Sequence, residues 1–290
     1  GEVGPDHPRR GAGAKLKTRA SLSLKYFAVL LMCCVILLPI LIFLLSSFKT
    51  NQEFAKTTLF QLPEAFNLEN YKQVFIKGHL LTAYRNTLIL LLFGVTLNIL
   101  FGTMLAYALG RFQFRARGLI LAMIMGARMI PTITTQVATF TVIKSIGLYD
   151  TLWAPILLYA GTDVVQIFLY LQFIESIPYE LDESAKLAGA SNFRIYWDII
   201  LPLMKPATVT AVILKVVAIY NDMYIPYLYL ASDKNLVIST ALLRFNGSAY
   251  GSQVPILAAS FILVMIPMLI LYILAQNLIF DGITAGSVKG

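Results

Sequence analysis

Six apolar runs dominate this chain: residues 26–48 (YFAVLLMCCVILLPILIFLLSSF), 87–110, 118–140, 151–174, 207–230 and 254–280. A helix rises about 1.5 Å per residue, so roughly 20 apolar residues carry it across the hydrocarbon of a bilayer. Each run is long enough. Of the 290 residues 58% are hydrophobic and only 13% charged, with a mean hydropathy of +0.74, whereas a soluble domain carries about 25% charged residues. These numbers exclude one soluble domain and predict an all-α membrane protein with six transmembrane helices. A transmembrane barrel would need alternating segments of about ten residues, and none is visible. Pro39, Pro131, Pro155, Pro226 and Pro267 fall inside or near the ends of the runs, which a helix bundle tolerates where neighbours satisfy the freed carbonyls.

Lys and Arg near span ends set orientation. The segment before the first span carries Arg9, Arg10, Lys15, Lys17, Arg19 and Lys25, and the loop after the second carries Arg111, Arg115 and Arg117. Both are assigned to the cytoplasm. An even number of spans then returns the C-terminus, with Lys289, to the same side. The loop from Lys49 to Arg85 is also moderately basic, but long loops translocate with less regard to charge. The formal net charge of +8 is therefore mostly topology, and nucleic-acid binding, which needs a basic face on a folded soluble domain, is excluded. The expected organisation is a disordered cytoplasmic tail over residues 1–25, a six-helix transmembrane bundle over 26–280 and a cytoplasmic tail over 281–290.

Nothing in the chain points to catalysis of its own. His7 and His79 are isolated, Cys33 and Cys34 sit mid-span as apolar bulk, and no cluster has metal-ligand spacing. A Gly-rich phosphate loop is also missing from the sequence, so the chain is read as no enzyme and as binding no cofactor.

The loop joining the fourth span to the fifth, about 175–206, is polar and punctuated. Pro178, Glu180, Asp182 and Glu183 suit the first turn of a helix. Gly189 can take the left-handed conformation that stops it, and Ser191 or Asn192 can cap a second helix. That second helix, FRIYWDIILP, is expected to end before Pro202. The product is a helical hairpin with a small-residue elbow, either a docking knuckle or an interfacial connector.

Glu183, Ser184, Ala185, Gly189, Ile199, Leu201 and Pro202 stand at spacings that resemble the EAA loop of permease subunits in bacterial ABC importers, with Ser184 where Ala is usual and Ala188 where sugar-importing relatives often carry Asp. FGTMLAYALGRFQFRAR at 101–117, MIPTITTQ at 129–136, GLYDTLWAPILLYAG at 147–161, YNDMYIPYLYL at 220–230 and ITAGSVKG at 283–290 extend the resemblance, which is to the MalG-like subunits of carbohydrate importers. It implies the six-helix, N-in and C-in type I importer fold with a cytoplasmic coupling helix. It also implies that Glu180 to Pro202 docks on a separate ATPase that holds ATP and Mg. The partners implied are two cytoplasmic ATP-binding subunits, a second homologous permease, an extracytoplasmic solute-binding protein, an oligosaccharide and membrane lipid. The last residues, including Thr284, Gly286, Lys289 and Gly290, would reach between the ATPases.

Substrate contacts are less sharply written. Arg128 and Asp163 fall near mid-bilayer in consecutive spans, where they either pair with each other or line the pathway, Arg128 then meeting the carboxylate of an acidic sugar. Lys215 is shallower and free to snorkel or to meet a polar partner. Tyr220, Asn221, Asp222 and Tyr224 supply the flat faces and polar groups that sugars prefer, and equally suit helix packing. The loop 232–255, with a tip at Asn246, Gly247 and Ser248, either meets the binding protein or is a solvated connection. A permease for a non-sugar solute and an ion-coupled secondary transporter are the competing functions.

Overall fold

The computed structural model describes residues 10–127, 129–245 and 253–287. Its helices run in the order α1 (Arg10–Ser47), α2 (Asn51–Lys56), α3 (Glu69–Lys77), α4 (Leu80–Arg111), α5 (Arg117–Ala127), α6 (Thr132–Ser145), α7 (Trp153–Ala160) and α8 (Val164–Ser176). They continue with α9 (Glu180–Leu187), α10 (Asn192–Ile195), α11 (Leu201–Leu203), α12 (Lys205–Asn221), α13 (Tyr224–Tyr229), α14 (Ile238–Ala241) and α15 (Val254–Ser287). No strand occurs among the described residues. Among the described residues three helices are long and apolar enough to cross a membrane, Leu22–Ser47 within α1, α4, and Val254–Leu278 within α15. The pairs α7/α8 and α10–α11/α12, bent by 47° and 77°, bring the number to five.

The remaining run, 118–140, is built from two shorter helices, α5 and α6, rather than one continuous helix. Pro131 stands at the N-cap of α6, where its fixed φ and missing N–H start a helix easily but cannot continue one. Two further boundaries differ from expectation. Helix α1 begins at Arg10, inside the stretch expected to be a tail, and α15 continues through Ser287, so residues 281–287 extend a helix instead of forming a separate tail.

The contacts divide into two units, residues 1–71 with 253–262, and residues 72–252 with 263–290. In the first, the apolar stretch of α1 has none of its most hydrophobic window buried, as suits a helix whose solvent is lipid. Its C-terminal end is finished by side chains. Asn70 Nδ2 donates to the carbonyls of Ser47 and Lys49 at 2.8 and 2.9 Å, supplying partners that a helix terminus lacks. The fully buried Lys49 donates through Nζ to Thr57 Oγ1 and to the Thr58 carbonyl, each at 3.0 Å. Thr50 and Glu53 form a reciprocal capping box that starts α2.

In the second unit α4 is the post on which the other spans pack. Its buried residues include Ala83, Asn86, Leu90, Gly94, Asn98, Gly102, Ala106 and Leu109, a stripe at three- and four-residue spacing with small members that admit close neighbours. A Cβ on Gly110 would lie 2.8 Å from Ile174 Cγ2, and one on Gly94 3.3 Å from Tyr159 Cβ. Polar members of the stripe serve backbone that the bends leave without partners. Asn98 Nδ2 donates to the carbonyls of Tyr159 and Gly161 at 3.2 and 2.6 Å, where α7 ends. Asn86 Nδ2 does the same for Lys234 and Leu236, both at 2.8 Å.

Pro267 lies inside the continuous helix α15 and removes one of its hydrogen bonds. The Leu263 carbonyl loses its donor four residues on, and it accepts instead from the Tyr84 hydroxyl at 2.6 Å. The Tyr220 hydroxyl donates to the next carbonyl, that of Val264, at 2.7 Å.

A polar latch ties two loops of this unit. Asp150 adopts a left-handed φ of 57°, and its Oδ1 accepts from Ala231 N, Ser232 N, Ser232 Oγ and Asn235 Nδ2 at 3.0, 2.9, 2.9 and 3.2 Å. Burial alone would raise its pKa, but the donors from Ser232, Asn235 and Ala231 outweigh it and hold the carboxyl at about 2. Because the folded value lies below the free one, the latch contributes its full stability above about pH 4 and loses it as pH falls toward 2. Intrinsic-rate-corrected hydrogen exchange of residues 231–236 should therefore be level from pH 5 to 8 and rise steeply below about pH 3. Asp150→Ala should show the fast exchange at neutral pH. Unchanged protection in that variant would remove the carboxylate from the account.

Candidate functional site

The loop between α8 and α12 is built as a hairpin around one backbone exception. Helix α9 carries Glu180, Asp182 and Glu183 in its first turn, where acidic groups meet the positive end of the helix dipole. It stops at Ala188, and Gly189 turns with φ +85°, a region that costs other residues roughly 1–2 kcal/mol. Ser191 then caps α10 by accepting from Arg194 N at 3.3 Å.

The hairpin has an inner and an outer face. Ile195, Tyr196, Ile200 and Met204 are buried with Ala106, Tyr107, Tyr170 and Ile174, and Ala185 packs against the same cluster. On the outer side Glu180, Glu183, Ser184, Gly189 and Pro202 are exposed, while Ile199 and Leu201 are partly covered. Leu187 is 90% exposed and Phe193 63%, with Phe193 stacked on Trp197. Apolar groups this open beside a glycine elbow leave a surface suited to another protein.

Pro202 does not end the second helix. A π turn, Tyr196–Ile200, follows α10, and Pro202 lies inside α11, two residues after that turn ends. The wider turn takes up the mismatch that a proline without an N–H would otherwise impose. Helix α11 ends at its C-cap Met204, and the 77° bend into α12 follows.

What fastens the hairpin to the bundle is a buried ion pair that the sequence reading missed. Arg111 Nε, at the end of α4, lies 2.8 Å from Asp182 Oδ2, with side chains 8% and 3% exposed. The same guanidinium donates to the Ile177 carbonyl at 2.9 Å and sits over the Tyr179 ring at 5.6 Å. Two more ties come from α4. The hydroxyls of Thr103 and Tyr196 meet at 2.8 Å, and Tyr107 donates to the Asn192 carbonyl at 3.3 Å. Asp182 reads locally as a first-turn acid, and only the position of a helix far along the chain discloses its partner.

The residues expected along the pathway separate. Arg128 lies outside the described residues, and with it the question of its pairing with Asp163. Asp163 caps α8 by accepting from Gln166 N at 2.9 Å and borders a cavity of about 260 Å³ with Asn98, Gln166 and Lys215. Tyr220 is buried and engaged with α15, which is a packing role. Asp222 breaks the fifth run. Its Oδ1 accepts from Tyr224 N and Ile225 N at 2.8 and 3.2 Å, and its Oδ2 from the Tyr159 hydroxyl at 3.0 Å. Asn221 and Tyr224 are exposed, and Asn221 Nδ2 donates to the Val217 carbonyl of its own helix.

At the C-terminus Thr284 and Gly286 belong to α15. Lys289 and Gly290, like the loop tip Asn246, Gly247 and Ser248, lie outside the described residues.

Residues 98–284 match the family model described as the inner membrane component of binding-protein-dependent transport systems. This chain belongs to that family. As a binding-protein-dependent inner membrane component it is a multi-pass subunit of the bacterial cytoplasmic membrane, and the match covers α8 to α12, where the hairpin lies. This permease is 33% identical over 253 residues to a putative ABC transporter permease protein of Caldicellulosiruptor sp. (strain Rt8B.4), covering 87% of this chain and 91% of that one. It is 34% identical over 254 residues, again 87% and 91%, to a probable starch degradation products transport system permease protein of Thermoanaerobacterium thermosulfurigenes. Its fold matches a chain in the crystal structure of a bacterial ABC transporter involved in import of the acidic polysaccharide alginate, with a TM-score of 0.81, 20% identity, and 94% and 99% coverage.

Proposed function

We propose that this permease forms half of the translocation pathway of an ATP-driven importer of oligosaccharides, with six spans and both termini in the cytoplasm. The observation that carries the coupling role is the hairpin of α9 and α10, turned at Gly189 and joined by the Arg111–Asp182 pair to the end of α4. ATP and Mg belong to two partner subunits, and the hairpin from Glu180 to Pro202 docks on one of them. Closure of the ATPases can drive the pathway only through contacts that differ between its two states. A knuckle locked to α4 on one side and continuous with α12 on the other passes such a motion to two spans at once. The C-terminal residues, including Thr284, Gly286, Lys289 and Gly290, would contact the ATPases.

An extracytoplasmic binding protein delivers the cargo, and a second homologous permease completes the pathway. Carbohydrate is supported by the starch-product relative and by relatives named for maltodextrin and galactooligosaccharide transport. An ion-coupled transporter would need neither the hairpin nor a binding protein.

The decisive measurement is ATP hydrolysis by the assembled complex in lipid, with the binding protein and with maltotriose, raffinose and a uronate trisaccharide in turn. At least one saccharide is expected to stimulate turnover. Stable association of the ATPases without stimulation by any of them would sink carbohydrate as the cargo while leaving the family untouched.

A further inference from the structure

The cavity at the break between α7 and α8 contains more polar chemistry than its place among the spans needs. It is bordered by Asn98 of α4, by Asp163, Val165 and Gln166 at the start of α8, and by Leu214 and Lys215 of α12. Asn98 is fully buried, and while its Nδ2 donates twice, its Oδ1 has no partner. Gln166 is 7% exposed, and neither atom of its side-chain amide closes a hydrogen bond. An unmet buried polar atom costs about 1–3 kcal/mol. The cavity walls set the Lys215 ammonium and the Asp163 carboxylate beside these two amide residues, a lining that can offer both donors and acceptors to an occupant.

The charges narrow its nature. Lys215 and Asp163 both border the cavity, and their charges sum to zero. A carboxylate on the occupant would gain Lys215 and be repelled by Asp163. A pair of hydroxyls, each able to donate and accept, matches ammonium, carboxylate and amide together. The apolar sides, Val165, Leu169, Leu214 and Ala218, suit the C–H face of a ring.

We propose that this cavity holds one sugar ring of the transported saccharide through neighbouring hydroxyls, with Lys215 donating, Asp163 accepting and Gln166 doing both. The proposal rests on the saccharide-importer reading above. It moves the substrate contact of this chain away from the aromatic cluster at Tyr220 to Tyr224, and assigns Lys215, Gln166 and Asn98 a role that their positions in the sequence do not suggest.

The test uses the complete importer with its binding protein in proteoliposomes, and whichever of maltotriose, raffinose or the uronate trisaccharide stimulates the unmodified complex. Gln166→Leu and Lys215→Met should each lower kcat/KM for uptake about tenfold, the cost of one neutral hydrogen bond or slightly more, chiefly through KM. Lys215→Arg should recover part of the loss. A second measurement covers variants that fail to assemble. With Cys33 and Cys34 replaced by Ser, Ala218→Cys is labelled by a small methanethiosulfonate, and this chain is read by mass spectrometry. The saccharide should slow labelling several-fold. Uptake unchanged in both variants, or labelling indifferent to the saccharide, would overturn the site and leave the importer reading standing. If the unmodified complex carries none of the three saccharides, the importer reading fails first and the site with it.

Discussion

Asp182→Ala should destabilise the complex and disconnect ATP hydrolysis from transport. The substitution leaves the Arg111 guanidinium buried without its counter-charge, and breaking a buried pair from one side typically costs about 3–5 kcal/mol. Much of that loss should appear locally, because the pair holds the first turn of α9 to the end of α4. The expected result is a lower Tm for the assembled transporter, together with basal ATP hydrolysis that the loaded binding protein no longer stimulates. Arg111→Ala should resemble it, with the added loss of the bond to the Ile177 carbonyl and of the stack on Tyr179.

Replacing both partners separates the two contributions. Arg111→Met combined with Asp182→Leu removes both charges and keeps the bulk, which is often neutral or better for stability. The double variant should recover most of the lost Tm. If it also recovers stimulation, a packed joint suffices, and if stimulation stays lost, the pair itself fixes the hairpin angle. A single Asp182→Ala with unchanged Tm and full stimulation would show that the joint is held elsewhere, through Thr103 and Tyr196 for instance.

Gly189→Trp should abolish docking while leaving the chain inserted. At φ +85° any side chain meets the left-handed penalty of about 1–2 kcal/mol. A Cβ built there finds no heavy atom within 4 Å, so there is no clash inside this chain. Gly189→Ala should therefore cost only the conformational term and keep coupling largely intact, with Gly189→Asn milder still. Trp adds bulk on the open side of the elbow between Leu187 and Phe193. Co-purification of the ATPase subunits and coupled hydrolysis should both fall by more than an order of magnitude, a loss of over about 1.4 kcal/mol. Normal association in the Trp variant would place the docking surface away from the elbow.

The chemistry of the local chain made the hairpin legible before any coordinates. A glycine that must reverse the backbone, acidic residues that favour one helix end and a serine that caps the next are decided within a few residues. Gly189 and Ser191 take those roles in the structure. The prolines were harder to read. Pro131 divides a run that was expected to cross as one helix, while Pro202 is absorbed by a π turn. The difference lies in whether the preceding turn can widen, which depends on what packs against it.

What the sequence by itself determined is the lipid-bound class, the approximate positions of the apolar runs, and a helical knuckle with a left-handed elbow. All of these follow from hydrophobicity over about 20 residues or from preferences acting between near neighbours. Only the tertiary structure decided the long-range partners. It joined Arg111 to Asp182, set the Asn98 amide against the carbonyls of a broken span, turned Tyr220 to the Val264 carbonyl of α15, and gathered Asp163, Gln166 and Lys215 around one cavity. The physical reason is the same in each case. In hydrocarbon no water can meet a freed backbone group, so its partner comes from inside the protein, and which partner that is depends on where distant helices come to lie.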